Sequence, residues 1–356
     1  MTRRAPGAVA LAAAALVSLG VAATARAEDG PHFAQRVRGL MGTKFQILAY
    51  VPDAAHEKAL DDALERVAEL ERWWSPWIEG SDVARVDADP GGEPVKVRPE
   101  TMALLERSVA SCKATGRAFD PTFFALSPLY DLRDPEKFVP PTDAAIAAVL
   151  PLVDCRKIEL DPKRGTVRLA KKGMGLHLGG NAKGTSLDEA ARVLEAAGIT
   201  RYVVDGGGDI TCRGEGPKGP WRVGIQNPRG PRGETLGVVR STGGGVATSG
   251  DYERFVVIDG VRYHHIVDPR TGKSASGCMS ATVSVPEGPH AGEIADTWAT
   301  TMCVLGPDKG FPLLAKHVPG AVAAIITPDG QVHRSPGFDA EVRGLEARAP
   351  EVHHAP

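Results

Sequence analysis

The chain lacks the marks of several classes at once. It has five Cys in 356 residues, an odd number with no C-x-x-C pair, too few for a disulfide scaffold. It has no excess of one charge: 42 Lys and Arg stand against 44 Asp and Glu, a formal net charge of -2. Nucleic-acid and polybasic membrane binding rest on clustered cations, so neither is expected. No apolar run beyond the first 27 residues is long enough to span a bilayer. There is no internal repeat and no low-complexity linker. A composition of 42% hydrophobic and 24% charged residues is that of an ordinary globular protein. What is plentiful is turn-forming residues, with 41 Gly and 28 Pro, which point to backbone-lined sites.

Residues 1–27 read as a secretory signal peptide. Arg3 and Arg4 form the positive region, Val9 to Ala23 the apolar region, and Ala25-Arg26-Ala27 an A-x-A cleavage site. The paired arginines raise a twin-arginine route, although their flanks match it poorly. No Cys follows the apolar region, so no lipid anchor and no stable membrane anchor are expected there. The protein is expected in the periplasm or outside the cell. The single compact domain is expected over residues 28–340, and residues 341–356 as a disordered tail.

Apolar residues recur at three- and four-residue steps over Asp53 to Trp74, which predicts a helix. Pro99 to Thr115, Lys183 to Ala197, Glu293 to Val304 and Pro307 to His317 predict four more. Gly80 to Pro94 reads as loop. Strand patterning covers Phe33 to Val51, interrupted at Gly42, then Val153 to Leu169 around Asp161-Pro162, Tyr202 to Val204, and Met279 to Val285. Asp259-Gly260 and Asp329-Gly330 predict hairpin turns within Phe255 to Val267 and Ala321 to Val332. Helices and strands mix without βαβ alternation, so the expected class is α+β, with mixed or antiparallel sheets and flanking helices.

Five phrases carry chemistry. Leu178-Gly179-Gly180-Asn181-Ala182-Lys183-Gly184 opens a helix, where free N–H groups, the helix dipole and Lys183 favour an anion. It is neither a Walker A sequence nor a G-x-G-x-x-G fingerprint, and a plain strand-to-helix turn has the same look. Asp205-Gly206-Gly207-Gly208-Asp209 lets backbone approach a ligand closely, or simply turns. Ser249 lies in Thr248-Ser249-Gly250-Asp251 with no nucleophile elbow around it. Asp296 and Thr300, four apart on a helix, share one face and offer oxygen ligands suited to Mg²⁺, or pair as core residues. Of His264 and His265 only one can face a site, since neighbours on a strand point oppositely. One disulfide is compatible with an oxidising compartment, but the spacing does not say which Cys would form it.

Taken in order, these phrases resemble the ApbE family of FAD:protein FMN transferases. The resemblance runs from Met41-Gly42-Thr43 through Ala118-Phe119-Asp120-Pro121-Thr122 and the two glycine phrases to Ala247-Thr248-Ser249-Gly250-Asp251-Tyr252. It continues in Tyr263-His264-His265-Ile266-Val267-Asp268-Pro269-Arg270-Thr271-Gly272 and ends in Ala295-Asp296-Thr297-Trp298-Ala299-Thr300 and Val304-Leu305-Gly306-Pro307. It covers roughly residues 33 to 338. The resemblance implies a single α+β domain with a cleft for FAD as substrate and Mg²⁺ as cofactor. It implies FAD contacts at Met41, Trp77, Ala118, Phe119, Asp120, Lys183 and Val267, to which His177, Gly207, Gly208, Asp209, Ser249 and His265 are added. It implies a metal site of Asp296, Thr300 and the backbone oxygen of Gly180, with His265 and Asp296 as catalytic candidates. The implied reaction moves FMN from FAD to a Thr or Ser hydroxyl of a partner flavoprotein and releases AMP. Hydrolysis of FAD to FMN and AMP, or plain periplasmic FAD binding, would use the same residues. The chain departs from the family at His177, where an acid is usual, at Asn181, at Thr185, and at Trp77, where Tyr is usual.

Overall fold

The computed structural model describes residues 30–345. The expected signal peptide and residues 346–356 of the expected tail lie outside the described residues. The chain begins with a hairpin, β1 (His32–Leu40) and β2 (Thr43–Val51), then α1 (Lys58–Trp74) and α2 (Asp82–Ala88). Next come β3 (Val95–Lys96), α3 (Pro99–Ala114), α4 (Asp143–Val149), β4 (Ile158–Asp161), β5 (Thr166–Leu169) and α5 (Ala182–Ala196). A run of strands follows: β6 (Tyr202–Gly206), β7 (Asp209–Arg213), β8 (Trp221–Gln226), β9 (Thr235–Ser241) and β10 (Gly243–Gly250). The hairpin β11 (Phe255–Ile258) and β12 (Val261–His264) precedes β13 (Ser280–Val285), α6 (Ala291–His317), β14 (Val322–Ile326) and β15 (Val332–Arg334).

Eight strands form one antiparallel sheet in the order β1-β2-β6-β7-β10-β13-β14-β15. Each strand lies beside the next main-sheet strand in sequence, and the insertions carry the rest of the fold. The period-two pattern separates its faces. Ile47, Tyr202 and Val204 join a core with α1 and α5, whereas Leu48 and Val203 join one with Trp221 and Val239 of the β8–β9 hairpin. On α1, Leu60, Leu64 and Val67 recur on the buried stripe, and each such residue contributes about 1.5–3 kcal/mol of burial. Helix α6 covers the other half of the same sheet face. The fold is α+β, with one helical layer on the sheet and a third layer built from α2, α3 and the β3-β5-β4 sheet.

Several differences from the sequence reading have local causes. Asp82–Ala88 is helical, not loop, because Ser81 caps it through Ala84 N–H and Val83 and Val86 are buried. The two helices expected around Pro307 run as one element, kinked at Gly306, whose φ of 68° no helix accommodates. Strand β10 starts at Gly243 in the middle of the sheet, where glycine-rich sequence gave no strand signal. Residues 341–345 are held to the fold, since Arg343 N–H donates to Leu236 O and Leu345 N–H to Gly330 O. Residues 341–345 therefore belong to the fold and not to the expected tail. Cys112 and Cys155 form a disulfide between α3 and the approach to β4. Among the described residues no helix is long and apolar enough to cross a membrane.

Candidate functional site

The sheet end, α5 and α6 meet at a cleft of about 750 Å³. The local folding of each phrase explains how they converge. Met41 and Gly42 turn β1 into β2 with positive φ, and Met41 N–H donates to Glu71 Oε1 (2.8 Å). The Asp205–Asp209 phrase turns β6 into β7, and Gly208 N–H donates to Asp205 Oδ1 (2.8 Å). Gly207 has φ 72°, and a Cβ there would sit 2.3 Å from Thr43 Oγ1, so two hairpin turns touch only because it is glycine. The Leu178–Lys183 turn feeds α5, with Ala182 N–H donating to Leu178 O (2.7 Å). Gly184 lets α5 pack on α6, since a Cβ would meet Gly292 O at 2.3 Å.

The floor of the cleft is charged. Lys183 Nζ pairs with Asp209 Oδ2. Asp296 Oδ2 accepts from Gly184 N–H (2.9 Å), so one of the first amides of α5 is already taken by a carboxylate. Burial and then the neighbouring Asp209 charge raise the Asp296 pKa to about 7, against the pull of Lys183 and Gly184 N–H. Asp205, raised to about 6 chiefly by burial, lies in the same field. Burial works against the Lys183 charge, but Asp209, Asp296 and Asp205 outweigh it and hold its pKa above the ordinary value. Thr300, one turn beyond Asp296, has its Oγ1 3.3 Å from Ser249 Oγ. A Cβ on Gly180 would lie 4.0 Å from that same Thr300 Oγ1, which sets the Gly180 backbone beside it.

The rim is aromatic. Trp77 is 66% exposed, tilted against Phe124 and under the Arg133 guanidinium. His177 stands edge-on to Phe123, with ring centroids 4.8 Å apart. Its Nδ1 accepts from Gly179 N–H (3.2 Å), so the proton sits on Nε2. Burial, then the Arg254 charge, lowers its pKa to about 4, and the ring is neutral at pH 7. His265 faces the cleft, whereas His264 turns inward to Ala275 O (2.8 Å). Protein crowded round His265, then Arg254 and His264, push its pKa down to about 4 as well.

Of the residues singled out from sequence, Met41, Trp77, Ala118, Phe119, Asp120, His177, Gly180, Lys183, Gly207, Gly208, Ser249, His265, Val267, Asp296 and Thr300 all line this one cleft. Two differ from expectation. Asp209 does not line it; it stands behind Lys183 and accepts from Thr248 N–H (3.3 Å). Asp120 borders the cleft, but its carboxylate is fully engaged. Oδ1 accepts from Thr122 N–H and Oγ–H, and Oδ2 from Cys155 N–H and the Arg117 guanidinium. All four acceptor positions are filled, so Asp120 can offer a ligand only its backbone. The sequence reading missed Asp205 and Arg254 as site residues. Asp205 was visible as the first acid of the glycine phrase. Arg254 had no signal, because it enters the site only through the placement of the β11–β12 hairpin.

Residues 41–326 match the family model described as the ApbE family. The chain is 34% identical over 330 residues to the FAD:protein FMN transferase of Treponema pallidum (strain Nichols), across 88% of this chain and 90% of that protein. It is 28% identical to the FAD:protein FMN transferase of Vibrio cholerae serotype O1, across 82% and 86%. Among solved structures it is similar to the ApbE protein of Thermotoga maritima, with a TM-score of 0.78 at 31% identity over 86% of this chain and 98% of that one. It is also similar to the apo flavinyl transferase ApbE of Pseudomonas stutzeri, with a TM-score of 0.73 at 26% identity over 87% and 96%. The chain belongs to the ApbE family.

Proposed function

We propose that the cleft binds FAD and transfers its FMN half to a Thr or Ser hydroxyl of a partner flavoprotein, releasing AMP. The relatives named as FAD:protein FMN transferases support the reaction class. The observation that carries it within this chain is the charged floor. Three buried carboxylates, Asp205, Asp209 and Asp296, stand round the ammonium of Lys183, with the Lys44 charge also acting on Asp205. Burial is the main cause of the raised pKa values of Asp205 and Asp296, and the Asp209 charge raises both further. A hard divalent cation fits this group of carboxylates, and Asp296, Thr300 and the Gly180 carbonyl are the oxygen donors suited to Mg²⁺. When bound, such an ion neutralises charge on the pyrophosphate.

The chain's own residues then have separate tasks. Lys183 holds a phosphate oxygen by charge, while Asp209 keeps the ammonium protonated and aimed. Gly207 and Gly208 admit the pyrophosphate against the backbone. Trp77 and Phe123 offer faces to the flavin or adenine ring. The acceptor O–H attacks the FMN-side phosphorus, the bond to the bridging oxygen breaks, and AMP leaves with that oxygen. His265, uncharged at neutral pH, is the candidate to take the hydroxyl proton. Positioning and charge neutralisation account for most of the rate, as in other phosphoryl transfers. Export to the periplasm, cued by residues 1–27, is part of the same proposal.

The test is incubation with FAD, Mg²⁺ and an acceptor protein carrying a target Thr. Covalent, gel-fluorescent flavin on the acceptor together with stoichiometric AMP supports transfer. AMP with free FMN and an unlabelled acceptor would instead mean hydrolysis. FAD that stays bound and intact would mean a storage protein.

A further inference from the structure

Among the described residues, three cysteines remain outside the Cys112–Cys155 bond, and they are not equivalent. Cys212 lies on β7, where its S–H faces Ser241 Oγ (3.4 Å) in the core under the β8–β9 hairpin. Cys278 and Cys303 lie in the α6 core on the opposite sheet face, with Sγ atoms 2.7 Å apart. That separation is far inside ordinary sulfur contact and a small step from the roughly 2.0 Å of a disulfide bond. The approach is set by backbone, not by one side-chain rotamer. A Cβ on the preceding Gly277 would fall 2.6 Å from Cys303 O and 2.7 Å from Gly306 N, so the loop before β13 rides directly on α6 where the helix kinks. Both thiols are buried, while nearby Ser276 is exposed and Met279 half-buried.

We propose that Cys278 and Cys303 are a second disulfide site, which closes in an oxidising environment and staples the base of β13 to α6. The oxidant is a disulfide of the thiol-exchange type, glutathione disulfide or a protein dithiol oxidant, acting while the chain folds. One cysteine thiolate attacks the donor disulfide, forms a mixed disulfide and expels one donor thiolate. The second cysteine thiolate then attacks the protein-side sulfur and expels the other. Two protein thiols are oxidised, one donor disulfide is reduced to two thiols, and the two protons pass to them. Cys212 is left as the one free thiol, since the sheet separates it from the pair. The staple lies one turn beyond Thr300 on α6, and closing it gives up the hydrogen bond that Cys303 S–H donates to Ser249 O (3.3 Å).

The test counts thiols and does not depend on any activity, so it stands or falls apart from the transferase reading. The full chain is refolded in a reduced/oxidised glutathione buffer, then denatured and alkylated without reductant. Intact mass is expected to show one alkyl group, and peptide mapping is expected to link the Cys278 and Cys303 peptides. Alkyl groups on both Cys278 and Cys303, or a bond joining Cys212 to either partner, would overturn the proposal. A C278A/C303A double variant, compared with the oxidised wild type, is expected to melt several degrees lower. If the double variant does not fold, the wild-type thiol count still decides.

Discussion

The floor and the rim of the cleft are built on opposite terms. The floor gathers the buried Asp205 of β6, Asp209 of β7 and Asp296 of α6 round Lys183 at the start of α5. The rim sets Trp77, Phe123 and a neutral His177 in looser, partly exposed contact. A buried cluster of like charges costs stability unless something offsets it, and in the proposed reaction a divalent cation would offset it. The rim makes no such demand and is suited to any flat ring. Floor variants should therefore change the chemical step, and rim variants chiefly the affinity.

The sharpest break of that contrast is Asp296→Asn. It keeps an acceptor for Gly184 N–H but removes the charge. The expected outcome is a loss of kcat/KM of about 10³ or more, roughly 4 kcal/mol, with FAD affinity changed by less than about tenfold in direct binding. Unchanged AMP release at saturating FAD would take Asp296 out of the metal site. The raised Asp296 pKa gives the same group a pH signature. Protons compete with cation for a carboxylate that titrates near pH 7, so apparent Mg²⁺ affinity in wild type should fall as pH drops below about 7 and level off above it. Lys183→Met comes next, with a loss of about 10² in kcat/KM. It also removes the charge that restrains the Asp296 pKa, so the Mg²⁺ dependence should move to higher pH.

The legibility of the two halves differed for the same physical reason. The sheet hairpins, α1, α3, α5 and α6 were readable because apolar period and turn residues are local signals. Asp296, Thr300, Lys183 and the glycine phrases were readable because short phrases carry them. What was not readable depends on tertiary contact. The Asp120 carboxylate looks like a ligand in sequence, but the fold turns it onto Cys155 and Thr122. Arg254 and the strands β8 to β10 have weak local signals and are fixed only by packing on the main sheet. Asp209 falls in a site phrase, yet the fold places it one shell back.

At the rim, Trp77→Ala should raise the KM for FAD by about tenfold, in line with the loss of one stacking face worth about 0.5–1.5 kcal/mol, and leave kcat within twofold. Trp77→Tyr keeps a ring and should restore the wild-type KM. A fall in kcat to match that of Asp296→Asn would erase the distinction between floor and rim.

The last prediction concerns stability and not turnover, and tests for charge strain behind the rim. Asp87, on α2, accepts from Leu176 N–H (2.9 Å), one residue before His177. Its other oxygen, Oδ2, is buried without a hydrogen-bond partner. Burial raises its pKa to about 7. Because the folded value lies above the unfolded one of 3.8, the native state binds more protons between those pH values. The carboxyl is thus tolerated at low pH, and stability falls as pH rises from about 4 to about 7, then levels. Asp87→Asn keeps the acceptor for Leu176 and never ionises. It should stabilise the protein by about 1–2 kcal/mol at pH 8, below the full value of the shift because the residue keeps some solvent contact. The gain should shrink toward zero near pH 4. Melting curves of the two proteins at pH 4.5 and pH 8 read this directly. A gain equal at both pH values would assign the effect to packing and not to the buried charge of Asp87.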